Sequence, residues 1–160
     1  MKNITAVVLG MIMILGTCRI AQAFDLPAVD RVTVRMAQTE VHAILGRPDQ
    51  VSEVEDGLEA SLYRSASLEP MLGAGCIFGH DERLVGQSFV LEGELGKQTV
   101  DRLQEIGFTL TDQQGDAFRL VGQDDDTGRP LVVHILQTNG LTIVMTFDKD
   151  FYERRGKWAN

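Results

Sequence analysis

"TEVHAILGRPDQV" (Thr39–Val51) sets an apolar stripe directly against a stop signal. Val41, Ile44 and Leu45 fall at i, i+3 and i+4, one face of an α-helix. Gly46 stands where a left-handed C-cap is wanted, and Pro48 blocks any continuation. The helix is therefore about two turns long, too short to persist alone in water. Its stripe has to dock on another layer, which the neighbouring chain must supply.

Strand material follows. "LEASLYR" (Leu58–Arg64), "GCIFG" (Gly75–Gly79) and "LVGQSFVL" (Leu84–Leu91) are strand-like, with "HDER" as the hairpin loop between the last two. The second half repeats the order. "KQTVDRLQEI" (Lys97–Ile106) carries Val100, Leu103 and Ile106 on one stripe, and Gly107 ends it. "AFRLVG" (Ala117–Gly122) is a strand, and "PLVVHILQ" (Pro130–Gln137) meets "LTIVMTFD" (Leu141–Asp148) at Asn139-Gly140, a strong two-residue hairpin signal. About sixty residues separate corresponding points of the two halves, so the repeat is one of element order rather than residue identity. The expected fold class is α+β: two tandem small modules, each a short helix or helix pair packed on a three-stranded antiparallel sheet. Their boundaries are 24–93 and 94–160. Val41, Ile44, Leu45, Val100, Leu103 and Ile106 are expected to face the sheets, and Phe78, Phe89, Ile135 and Ile143 to fill the cores from the strands.

The longer stretch "RMAQTEVHAILGRPDQV" (Arg35–Val51) resembles the signature of the SmpA/OmlA, or BamE-type, envelope proteins. That signature runs Gly-Met-Thr/Ser, three residues, Val, then Leu-Leu-Gly-x-Pro. Met36, Val41, Leu45, Gly46 and Pro48 match, with Ile44 for the first Leu. Arg35 replaces the Gly, and Ala37 replaces the N-capping Thr or Ser, whose loss typically costs about 1 kcal/mol. The tandem layout also resembles the β-lactamase-inhibitor-protein fold, in which two helix-plus-sheet modules form one concave binding surface. These resemblances imply helices layered on antiparallel sheet and a role in binding other proteins. They carry over no catalytic residue.

Composition and the N-terminus speak to location. The 160 residues carry a formal charge of −8 and are 44% hydrophobic, a globular balance rather than a disordered one. That acidity argues against a nucleic-acid or anionic-membrane partner, both of which want clustered Lys and Arg. Lys2, the apolar run "AVVLGMIMILG" (Ala6–Gly16) and "AQA" (Ala21–Ala23) form a signal peptide over residues 1–23. The run is shorter than the about 20 residues that span a bilayer, so no integral span is expected in the mature chain. Cleavage after Ala23 leaves 13 basic and 23 acidic residues, a balance of −10. The expected location is periplasmic or secreted. Cys18 in "ILGTC" resembles a lipobox and offers a second route, an outer-membrane lipoprotein, although Thr17 departs from the Gly, Ala or Ser usual there. Either route removes Cys18 as a disulfide partner and leaves Cys76 alone, as a core cysteine.

No residue pattern points to an active site, and no metal or cofactor is expected. Cys76 and His80 on one strand would lie roughly 13 Å apart, at about 3.3 Å per residue, so they form no dyad. His42, His80 and His134 fall on a helix, at a loop and in an apolar strand, without metal-ligand spacing. "DDDTG" (Asp124–Gly128) fails the calcium-loop pattern because Gly128 takes the third ligand position. "LGAGCIFG" (Leu72–Gly79) has neither the Lys-Ser/Thr nor the helix of a phosphate loop, and reads as the bent start of a strand.

The C-terminus gathers the chain's remaining basic and aromatic residues. In "DKDFYERRGKW" (Asp148–Trp158), Phe151, Tyr152, Arg154, Arg155 and Trp158 form the candidate partner-binding patch, since aromatics with Arg are enriched at protein interfaces. The plainer reading is a terminal turn whose aromatics cover the sheet edge. The expected function is a non-catalytic exported envelope protein that acts through protein–protein contact, with a membrane assembly component as partner. The alternative is a secreted or periplasmic inhibitor, with an enzyme as partner.

Overall fold

The computed structural model describes residues 31–64 and 71–156. The elements in order are α1 (Gln38–Leu45), β1 (Gln50–Val54), a 3-10 turn (Glu55–Gly57), β2 (Leu58–Arg64), β3 (Met71–Phe78), β4 (Leu84–Glu92), α2 (Gly96–Glu105), β5 (Thr109–Gln114), β6 (Ala117–Gln123), β7 (Pro130–Thr138), β8 (Leu141–Asp148) and α3 (Lys149–Gly156). The strands form a single antiparallel sheet in the order β1-β2-β3-β4-β8-β7-β6-β5. This corrects the expectation of two tandem modules on separate three-stranded sheets. Each half contributes a four-stranded meander, and the two meanders fuse through β4 and β8, paired from Gly86↔Phe147 to Glu92↔Leu141. The expected signal peptide, Cys18 and Trp158 lie outside the described residues.

The fusion follows from what β4 and β8 carry. In β4, Val85, Ser88 and Val90 are buried, with Phe89 and Leu91 half-buried on the opposite face; in β8, Thr142, Ile143 and Met145 are buried. A strand apolar on both faces makes a poor edge, since its backbone N–H and C=O groups would need water on an otherwise dry strip. Pairing the two strands satisfies both ladders. The true edges are polar: β1 is "QVSEV" and β5 is "TLTDQQ", each mostly exposed.

Register fixes which helix covers which face. One transverse row runs Tyr63, Ala74, Phe89, Val144, Ile135 and Phe118 across six strands. Its first half packs with Val41 and Leu45 of α1, and its second half with Val100 and Leu103 of α2. Both helices therefore lie on one face of the sheet. The neighbouring row, Leu62, Gly75, Ser88, Met145, His134, Arg119 and Asp112, points to the other face. That face carries α3, through Phe151 on Leu58, Ile77 and Val85.

Most expected core positions are buried: Val41, Leu45, Val100, Phe78, Ile135 and Ile143, with Ile44, Leu103 and Phe89 packed beside them. Ile106 is not. It is 49% exposed, because α2 ends at Glu105 and the chain then turns through Gly107 (φ 99). Phe108 enters the core instead, its ring lying over Gly122, where an added Cβ would stand 2.4 Å from it.

Two side chains, the buried Thr142 and the half-buried Gln137, anchor the junction between the halves. The Thr142 hydroxyl donates to the Gly93 carbonyl and accepts from the Leu95 amide, both at 2.8 Å. The Gln137 side-chain oxygen accepts from the Gly96 amide at 3.0 Å, and so satisfies one of the free donors at the start of α2. The β7–β8 turn has Asn139 and Gly140 at φ 51 and 73, the paired left-handed conformation of a type I′ turn.

Candidate functional site

The C-terminal residues singled out by sequence are brought together on α3, a helix rather than a turn. Asp148 is buried, and its carboxylate accepts from the Phe151 amide at 2.9 Å, an N-cap geometry. Lys149 and Glu153 add an i, i+4 ion pair at 3.7 Å. Phe151 and Tyr152 turn inward and are half-buried on the sheet. The Arg155 guanidinium sits 2.7 Å from the Asp56 carboxylate and 5.6 Å over the Phe151 ring, which fastens the end of α3 to the β1–β2 turn. Arg154 is exposed, its Nε donating to the Asp150 carbonyl at 3.1 Å. Most of the expected patch is thus engaged with the sheet, and Arg154 is its outward-facing member among the described residues.

What sequence reasoning missed is the residue beneath α3. His134 lies on β7 with its ring 5.1 Å from Tyr152 and 6.4 Å from Phe147. Its Nε2 is buried with no hydrogen-bond partner among the described residues. Burial, and secondarily the Arg119 charge on the adjacent strand, pull its pKa from 6.5 down to about 4, against an opposing pull from Asp112. The available signals were a lone His in an apolar strand and an Asp-x-x-Phe spacing at the start of a helix. Neither shows by itself that the two elements meet.

A second polar group lies under α1. The His42 Nε2 is 3.3 Å from the Ser61 hydroxyl, and Gln38 donates a side-chain hydrogen bond to Glu59. Ser61 is fully buried and His42 half-buried, so the pair ties the helix to β2. Cys76 is buried in the same layer, as expected, and burial pushes its thiol up to about 12. Tyr63 is buried beside it, and its phenol is pushed up by burial and by the Cys76 charge.

The three histidines are not brought together. His42 is on α1 and His134 faces the opposite side of the sheet, while His80 is exposed in the β3–β4 turn. Among the described residues, no three His, Cys, Asp or Glu side chains are grouped to hold a metal. The Asp124–Gly128 stretch is a loop closed on itself, with the Asp124 carboxylate accepting from the Thr127 amide and hydroxyl at 2.8 Å. A shallow depression of about 390 Å³ lies along α2, lined by Leu95, Gln98, Thr99, Arg102 and Leu103. Among the described residues, no helix is long and apolar enough to cross a membrane. No family model, curated protein or solved structure matches this chain.

Proposed function

We propose that this chain is a non-catalytic exported envelope protein that works through protein–protein contact, in outer-membrane assembly or maintenance. The observation that supports this reading is the backbone of the stretch that resembles the BamE-type signature. Arg35 stands where that signature has Gly, and its φ is 72, in the left-handed region that Gly adopts most easily. Val41 and Leu45 are the buried stripe of α1, and Gly46 at φ 83 ends the helix two residues before Pro48. The backbone at Arg35 and Gly46 and the buried stripe of Val41 and Leu45 are what support the reading.

A second reading, an inhibitor that presents a surface to a soluble enzyme, is favoured by the fused sheet. The support is that α1 and α2 lie on the same face of the single eight-stranded sheet. The two readings differ in partner. Cross-linking of the native exported protein in cells, with mass spectrometry of the captured species, separates them. Recovery of outer-membrane barrel or assembly components supports the first; recovery of one soluble enzyme in place of them overturns it in favour of the second.

A further inference from the structure

We propose that α3 is an acid-released latch: His134, seated under Tyr152, holds the helix on the sheet while its ring is neutral and drives it off when protonated. This inference is independent of which partner the protein binds.

The geometry carries it. His134 is covered by α3 through the Tyr152 ring at 5.1 Å, and the Phe147 ring closes its side at 6.4 Å. Phe147 is itself held in place over Gly86, where an added Cβ would meet the ring at 2.6 Å. A proton arriving on the ring makes both nitrogens donors, yet Nε2 is buried and faces no acceptor among the described residues. A buried donor without an acceptor, now charged, favours any state that lets water reach it. Undocking α3 is the nearest such state.

The charges around His134 weigh the same way on balance. On β6, Arg119 is its direct cross-strand neighbour, and a second cation beside it is repelled. Arg119 is held in position by its Nε, which donates to the Thr111 hydroxyl at 3.2 Å. On β5, Asp112 pairs with Arg119 in register and offsets part of that repulsion. On β8, the cross-strand neighbour is Met145, which carries no charge. On α3, Tyr152 is the residue in ring contact, while Lys149 and Glu153 pair with each other. A protonated imidazole gains some attraction from the Tyr152 face. Burial of the ring and the Arg119 charge, the two causes that lower its pKa, oppose that gain.

The remaining ties of α3 are few. Beyond Tyr152 they include the Asp148 cap, the Arg155–Asp56 pair and the Phe151 contact with Leu58, Ile77 and Val85. Release would bare that last cluster together with Phe147, a contiguous apolar surface. The linkage sign is definite. A histidine whose folded pKa lies below its free value favours the docked state at neutral pH, and that preference disappears as pH falls from 6.5 through about 4.

Hydrogen exchange of the full chain, followed by mass spectrometry at pH 7 and pH 4.5 and corrected for intrinsic rates, tests the latch. The expected result is a tenfold or greater loss of protection across residues 149–156 at pH 4.5, with β3, β4 and β8 unchanged. In His134→Phe, which cannot be protonated, the loss should vanish. In Arg119→Gln, which removes the repelling cation and raises the docked-state pKa toward the free value, the loss should be smaller and complete at higher pH. Unchanged protection in the parent chain overturns the proposal. So does an identical loss in His134→Phe, which would assign the effect to a group other than His134. If His134→Phe does not fold, the Arg119→Gln comparison decides the matter alone, and a loss as large as the parent's then overturns the proposal.

Discussion

At the scale of single residues, two positions show a local mismatch that substitution should expose. Ala37 is the N-cap of α1, with the extended φ −67 and ψ 145 that a cap requires, but it has no side-chain oxygen to offer. Half of a capping box survives: the Glu40 carboxylate accepts from the Ala37 amide at 2.8 Å. Ala37→Ser supplies the other half without moving the backbone. It should stabilise the protein by about 1 kcal/mol, read as a higher midpoint in urea. Gly122 is the opposite case. Its backbone is ordinary, but the Phe108 ring occupies the space of a side chain, so Gly122→Ala forces the ring outward. A destabilisation of about 1–3 kcal/mol is expected, as for other overpacked cores. Phe108→Leu in the same chain should recover part of it, and a loss unchanged by that second substitution would show that the ring is not the cause.

At the scale of elements, α3 depends on its first residue. Asp148 is buried and caps the Phe151 amide, so Asp148→Ala removes an acceptor from a helix of only eight residues. The expected cost is about 1 kcal/mol, with the exchange protection of 149–156 falling more than that of the strands. The same element shows where the sequence was legible and where it was not. "LEASLYR" and "LTIVMTFD" are strands over the residues expected, because both are short apolar runs and the Asn139-Gly140 turn also marks the start of the second. β1 and β5 were missed because edge strands carry polar residues on both faces, and "TLTDQQ" has no alternation to detect. The sequence reads α3 as a turn because "DKDFYERRG" is short and polar, and its packing partners Leu58, Ile77 and His134 are between 15 and 91 positions upstream of Lys149. The Arg155–Asp56 pair spans 99 positions, and nothing local marks it. Local pattern thus reached the central strands and the two longer-range helices' stripes, while the candidate site, made by contacts across the fold, stayed hidden.

At the scale of the whole molecule, the fused sheet makes the two halves one cooperative unit, and stability should respond to pH as a single profile. Phe78 in the first half and Leu120 in the second are both essentially inaccessible to water, so each truncated to Ala should lower the same transition by about 2–5 kcal/mol. On the acid side, the depressed His134 pKa means the folded state loses stability from pH 6.5 down through about 4, by at most about 3 kcal/mol and less for the part of the ring open to water. Asp81 adds to that limb. Desolvation raises its pKa, but hydrogen bonds from Arg35 and the Arg83 amide outweigh it, so its contribution is present above the free carboxylate value and lost below it. On the alkaline side the sign reverses in pH but not in cause. Cys76 is held neutral by burial, with its pKa raised from 9.0 to about 12, so the folded state loses stability as pH climbs from 9 toward 12. Tyr63 is raised in the same direction and steepens the fall. The urea midpoint should therefore be level between about pH 7 and 8.5 and decline on both sides. His134→Phe should flatten the acid limb alone, and Cys76→Val the alkaline limb alone. A His134→Phe chain whose acid limb matched the parent's would place the titrating groups among the carboxylates, and a single variant that flattened both limbs would contradict the separation of the two buried groups onto opposite faces of the sheet.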